Sequence, residues 1–176
     1  ASKWATLKQR GDYAVPLIKD EVNEYDVYKT LDFVYDHHRA LFNRINTTMV
    51  KNYHRTTNKV FYDVTNFYSE TDFNDEDYIN EKGEEEKGLR KKGVSKENRK
   101  EPIVQMGLLM DEQGIPVSVE CFSGNTLDQQ TVENAFDHSV DSFNDKKQRY
   151  VYVCDKGIGK GEAIVYAISH GVGYLT

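Results

Sequence analysis

Lys59-Val-Phe-Tyr-Asp63-Val-Thr-Asn-Phe-Tyr68 is the stretch that decides the fold. β-Branched and aromatic residues dominate it, which is the composition of a strand, yet an acid stands in its middle. A second run of the same kind, Arg149-Tyr-Val-Tyr-Val-Cys-Asp155, ends on an acid just before a glycine-rich turn. A carboxylate in a strand that contributes to a core needs a partner, because burying an unpaired charge is costly. If the two strands are neighbours, the two acids converge. Paired carboxylates at the end of a sheet make a site for a hard cation, and hard cations drive phosphoryl chemistry.

Working outward, residues 24–55 read as one long helix or two. Val27, Leu31, Val34, Leu41, Ile45 and Met49 recur on one apolar stripe, widened by Tyr28, Tyr35 and Phe42, and this predicts a half-buried helix packed on the core. His37 and His38 adjoin on that helix and diverge by about 100°, so they make no metal pair. After the first strand, residues 69–102 are polar, charged and punctuated by glycine, and predict an exposed excursion. Val104–Met110 and Ile115–Phe122 flank Asp111-Glu-Gln-Gly114 and predict a hairpin, with Pro116 near the start of its strand. Thr126-Leu-Asp-Gln129 fits a capping box, with a helix running to about Asp141 and burying Val132, Ala135, Phe136 and Val140. Tyr150–Cys154 is nearly all apolar, as in a strand covered on both faces. Gly157-Ile-Gly-Lys-Gly161 leads to a helix that Gly171 ends, and a last strand begins at Tyr174. The order strand, hairpin pair, helix, strand, helix, strand predicts one α/β mixed five-stranded sheet with flanking helices. In the ribonuclease-H-like version of that order the first and fourth of these strands are central neighbours, which brings Asp63 to Asp155.

Composition narrows the class. The chain has 176 residues, 38% hydrophobic and 30% charged, which suits a globular protein. There is no apolar run of membrane-spanning length and no signal-peptide pattern. Cys121 and Cys154 lie in apolar runs and predict buried, reduced thiols in a cytoplasmic protein. The net charge of −6 speaks against a surface devoted wholly to nucleic acid, but the charge is unevenly spread. Between Lys87 and Lys100 seven basic residues face one acid. The chain opens without Met and closes on a stretch that reads as the start of a strand, so a fragment of a longer protein is expected.

Tyr62-Asp63-Val-Thr-Asn-Phe-Tyr68, Gly93-Val-Ser-Lys96-Glu-Asn-Arg99, Gln105-Met-Gly-Leu-Leu, Ile115-Pro116, Gly124-Asn-Thr-Leu-Asp128 and Val153-Cys-Asp155-Lys-Gly157 occur in that order. Together, over about Val60 to Thr176, they resemble the DDE transposases of bacterial insertion sequences, with their integrase-like catalytic core. The resemblance implies two-metal-ion cleavage and strand transfer at transposon ends, hence DNA recombination. It implies Mg²⁺ or Mn²⁺ as cofactor and double-stranded DNA, both transposon ends and target, as partner. It is compatible with a homodimer of the full-length protein and with no membrane. It places the first two acids of the triad at Asp63 and Asp155, as metal ligands and catalytic residues. The third, a glutamate on a later helix, has no counterpart before Thr176, so the fragment itself is expected to be inactive.

The layout implied is a helical N-terminal region over 1–56 and an incomplete catalytic core over 57–176, carrying the charged insertion at about 69–102. Lys91, Lys92, Lys96, Arg99 and Lys100 are the candidate DNA-binding residues, through phosphate contacts that position DNA without reading sequence. The alternatives are a solvated loop for that segment and, for the protein, a non-catalytic DNA-binding remnant or a metal-dependent nuclease of the same fold. A phosphate loop at Cys154–Gly161 fails, since Cys154 takes the first glycine position and Gly161 follows the lysine. No Gly-x-Ser-x-Gly elbow is present for a hydrolase.

Overall fold

The computed structural model describes residues 3–9, 22–80, 82–93, 100–142, 150–158 and 161–176. They fall into two compact units, Ala1–Leu41 and Phe42–Thr176.

The first unit holds α1 (Lys3–Lys8) and α2 (Glu24–Asp36). Asn23 starts α2 through a reciprocal capping box: its side chain accepts from the Asp26 amide at 3.1 Å, and Asp26 accepts from the Asn23 amide at 2.9 Å. The helical stretch breaks at His37, and α3 (His38–Tyr53) follows. The apolar stripe does not pack as its periodicity predicts. No residue of α2 is buried, and Leu31, Val34, Leu41 and Ile45 are all exposed.

The second unit is built on one five-stranded sheet of order β5-β4-β1-β6-β7. Its strands are β1 (Lys59–Tyr68), β4 (Ile103–Met110), β5 (Pro116–Ser123), β6 (Val151–Cys154) and β7 (Gly173–Leu175). β1, β4 and β5 pair antiparallel, whereas β6 is parallel to both β1 and β7. This is the ribonuclease-H-like arrangement, α/β with a mixed sheet. Pro116 opens the edge strand, opposite a register shift at Leu109/Met110, where its missing N–H costs least. A separate two-stranded ribbon, β2 (Tyr78–Ile79) with β3 (Glu85–Glu86), lies in the charged insertion.

α4 (Asp128–Ser142) packs on β5 and β4, and α5 (Glu162–Ser169) packs on β7 and α4. Under them one face of the sheet forms the core: Val60, Tyr62, Val64, Leu109, Tyr152 and Cys154, closed by Val132, Ala135 and Ala167. The other face is much less covered. Phe61 is 38% exposed, Phe67 50% and Leu175 59%. β6 alternates between intermediate and buried residues, so it is not enclosed on both sides as its run of apolar residues predicts. Cys154 is buried as expected, but Cys121 is exposed, because alternation along the edge strand turns it to the open face. α4 begins at Asp128, later than a Thr126 cap requires. The side chains of Phe136 and Val140 lie outside the described residues. No helix among the described residues is long and apolar enough to cross a membrane.

Candidate carboxylate site

The register between β1 and β6 carries the site. Lys59 pairs with Val151, Val60 with Tyr152, Phe61 with Val153 and Tyr62 with Cys154, a constant interval of 92 residues. Neighbouring strands lie about 4.8 Å apart. Asp63 is the next residue of β1, and Asp155 directly follows the end of β6. Each is exposed, while Tyr62 and Cys154 just before them are buried. Alternation along β1 therefore puts the Asp63 carboxylate on the side of the sheet away from α4 and α5.

The groups behind them are inert. Burial, reinforced by the negative charges of Asp128, Glu120 and Asp63, pushes the Tyr62 phenol far above its usual range. The phenol stays neutral and donates a long bond, 3.4 Å, to the Thr131 carbonyl. Burial also raises the Cys154 thiol, whose Sγ lies 3.1 Å from the Tyr174 hydroxyl. A thiol shifted upward is a poor nucleophile. The chemistry the site can offer is that of its two carboxylates. Exposed carboxylates, where two converge, suit a hard divalent cation. Among the described residues no cluster of three or more His, Cys, Asp or Glu forms.

The basic candidates divide. The Lys91 ammonium pairs with Asp77 at 2.8 Å, and its backbone exchanges hydrogen bonds with Ile103 at 3.1 and 3.0 Å. Its neighbour Arg90 is held by Asp75, with Nε donating at 2.7 Å. These pairs hold the carboxyls of Asp75 and Asp77 below the usual carboxylate range. Lys92 and Lys100 are exposed. Lys96 and Arg99 lie outside the described residues.

Two glycines of the motifs quoted above, Gly93 and Gly124, have a packing reason. A Cβ on Gly93 would stand 1.8 Å from the Gly124 carbonyl oxygen, and one on Gly124 would stand 2.0 Å from that of Ile103. Backbone thus packs on backbone where the insertion returns to the sheet, and the Gly124 amide donates to the Leu89 carbonyl at 3.0 Å.

A buried polar node was missed in the sequence. Arg55 is 6% exposed and Asp111 1%, and Arg55 Nε donates to Asp111 Oδ2 at 2.6 Å. Nη1 donates to Asn46 Oδ1 at 2.5 Å, and Nη2 to the carbonyls of Ile115 and Pro116 at 2.8 and 2.9 Å. Asp111 Oδ1 accepts from the amides of Gln113 and Ile115, both at 2.9 Å. Asn46 donates to the Val117 carbonyl at 2.9 Å. His54, at φ 54°, turns the chain out of α3 and leads into Arg55. The node ties α3 to the β4–β5 hairpin through polar groups instead of the predicted apolar stripe.

No family model matches the chain, and no curated protein matches it. Solved structures overlap weakly. A Mos1 transposase paired-end complex with left transposon end is 12% identical, with a TM-score of 0.43, over 98% of this chain and 49% of that one. A Mos1 mariner paired end complex with Mn shows the same identity and score over 100% of this chain and 51% of that one. A Mos1 strand transfer complex gives 98% and 49%. The chain spans about half the length of the structures it overlaps, and its fold rests on its own strand order and register.

Proposed function

We propose that this chain carries part of the catalytic core of a DDE-type transposase, with Asp63 and Asp155 as two of its metal-binding carboxylates. What supports the reading is the β1–β6 register: continued one residue past Tyr62 and Cys154, it would set two exposed acids, far apart in sequence, at one level. Both are oxygen donors, the kind that Mg²⁺ or Mn²⁺ selects. Bound there, two such ions would activate the attacking oxygen and stabilise the leaving oxygen of a DNA phosphodiester. The protein's own share is to hold two carboxylates side by side on a stiff sheet. Lys92, Lys96, Arg99 and Lys100 would steer the phosphate backbone, and Lys91 would join them only on release from Asp77. No side-chain nucleophile is required.

In the whole protein, Asp63→Asn and Asp155→Asn should each abolish Mg²⁺-dependent cleavage of labelled DNA ends while the far-UV circular dichroism is kept. Near-normal cleavage by either variant removes that residue from the site. The rival reading, a DNA-binding remnant without catalysis, draws on the absence of a third metal-ligating side chain beside the pair among the described residues. It predicts DNA binding indifferent to both substitutions and to divalent ions.

A further inference from the structure

On the helix-covered side of the sheet, near the same strand ends, lies a cavity of about 300 Å³ lined by Asn66, Gln105, Asn125, Thr126, Asp128 and Gln129, with Leu127 and Gly157 completing it. Asn66 and Gln105 are register partners on β1 and β4. Gln105 is 3% exposed, and its Nε2 makes a stretched contact of 3.5 Å with Asp128 Oδ1. The side-chain oxygens of both Asn66 and Gln105 are buried without a hydrogen-bond partner among the described residues. Leaving such an oxygen unsatisfied costs roughly 1–3 kcal/mol, so two in one cavity wall mark a place where a donor belongs.

The lining says which donor. Among the described residues it contains no Lys, Arg or His, so these residues do not suit a phosphate. Its one charge is the Asp128 carboxylate, and the rest is amide, hydroxyl and a leucine side chain. Amides pair with base edges that offer an exocyclic amine beside a ring nitrogen, and a carboxylate accepts the second proton of such an amine. The volume lies at the lower bound of small-ligand sites and suits one planar base.

We propose that this cavity receives a single nucleobase bearing an exocyclic amine, turned out of a DNA strand, with Asn66, Gln105 and Asp128 reading its edge. Extrusion of a base is how proteins reach groups hidden in the stack. The inference rests on the DNA reading above and deepens it: beyond the acids that would act on the phosphodiester, the fold holds a second site, built mainly of amides, for a neighbouring base.

The test uses the full chain and millimolar nucleosides, followed by the side-chain amide resonances of Asn66 and Gln105. Deoxyadenosine and deoxycytidine should shift both and bind at least tenfold more tightly than thymidine. Gln105→Met, close in shape but without the amide, should lose at least tenfold of the deoxyadenosine affinity. Should that variant not fold, N6,N6-dimethyldeoxyadenosine asks the same question of the unaltered chain, because it lacks the amine protons and should leave the resonances unmoved. Equal response to all nucleosides, or none, overturns the proposal. Mn²⁺ titrated into the same sample separates the two readings. Nucleoside binding without a metal effect at Asp63 keeps the cavity and removes the carboxylate pair, and the reverse outcome removes the cavity alone.

Discussion

Two carboxylate settings on one sheet behave in opposite ways. Asp111, where β4 ends, is 1% exposed and surrounded by its own chain: an Arg55 guanidinium at 2.6 Å and two backbone amides at 2.9 Å. Asp63 and Asp155 are exposed, the one in β1 and the other directly after β6. A carboxylate supplied with a cation from within the chain is there to hold the fold. Two carboxylates set beside each other in solvent repel, which adds nothing to stability. Placement that costs stability is expected where function requires it.

The largest effect should come from breaking the first setting. Arg55→Met leaves Asp111 charged and buried and Asn46 without its partner, and should cost about 3–5 kcal/mol in urea denaturation. Arg55→Lys should recover little, because an ammonium cannot reach a carboxylate, an amide and two carbonyls with one planar fork. A loss below about 1 kcal/mol would erase the contrast between the settings, since surface pairs are worth that much or less.

Next in size is the glycine contact. Gly124→Ala puts a methyl group within 2.0 Å of the Ile103 carbonyl oxygen, so backbone must move, and a loss of about 1–3 kcal/mol is expected by thermal melting. An unchanged melting temperature would mean that the insertion rests less firmly on the sheet than its hydrogen bonds suggest. The second carboxylate setting should respond the other way. Asp63→Asn or Asp155→Asn should leave stability within about 0.5 kcal/mol of the parent, as for an exposed surface change. A large loss in either would make that acid structural, like Asp111.

The smallest effect belongs to the insertion. Asp75 is held below the usual carboxylate range mainly by its hydrogen bonds from Arg90. A depressed folded-state value means the pairing contributes above the ordinary carboxylate range and is lost as pH falls through the folded value. Amide protection in residues 75–92, taken relative to the intrinsic exchange rates, should therefore fall below about pH 4 and in high salt, while the sheet stays protected. An equal fall in β1 would deny that the insertion opens on its own.

Much of this architecture was legible in the sequence, for identifiable reasons. β1, the β4–β5 hairpin and β6 are runs of β-branched and aromatic residues with turn residues between them, so local preference and tertiary structure agree. The neighbouring placement of β1 and β6 was expected from the ribonuclease-H-like version of the element order, which the order alone did not dictate. The Arg55–Asp111 pair could not be read, since it spans 56 positions and a polar contact at that range leaves no periodic trace. The amide cavity was hidden for the same reason, because Asn66 meets Gln105 only once the β1–β4 register is known. The stripe on α2 and α3 misled, because periodicity reports that a helix has an apolar face and not that anything covers it. The basic run concealed its partners: Asp75 and Asp77 lie within the same excursion and neutralise Arg90 and Lys91.

The most direct test of the carboxylate pair is paramagnetic broadening of backbone amides by substoichiometric Mn²⁺ in the full chain. The account predicts that the amides around Asp63 and around Cys154–Asp155 broaden together, ahead of the rest, and that Asp63→Asn removes the effect at both. Broadening confined to one strand, or scattered over the acidic surface and unaffected by the substitution, would contradict it.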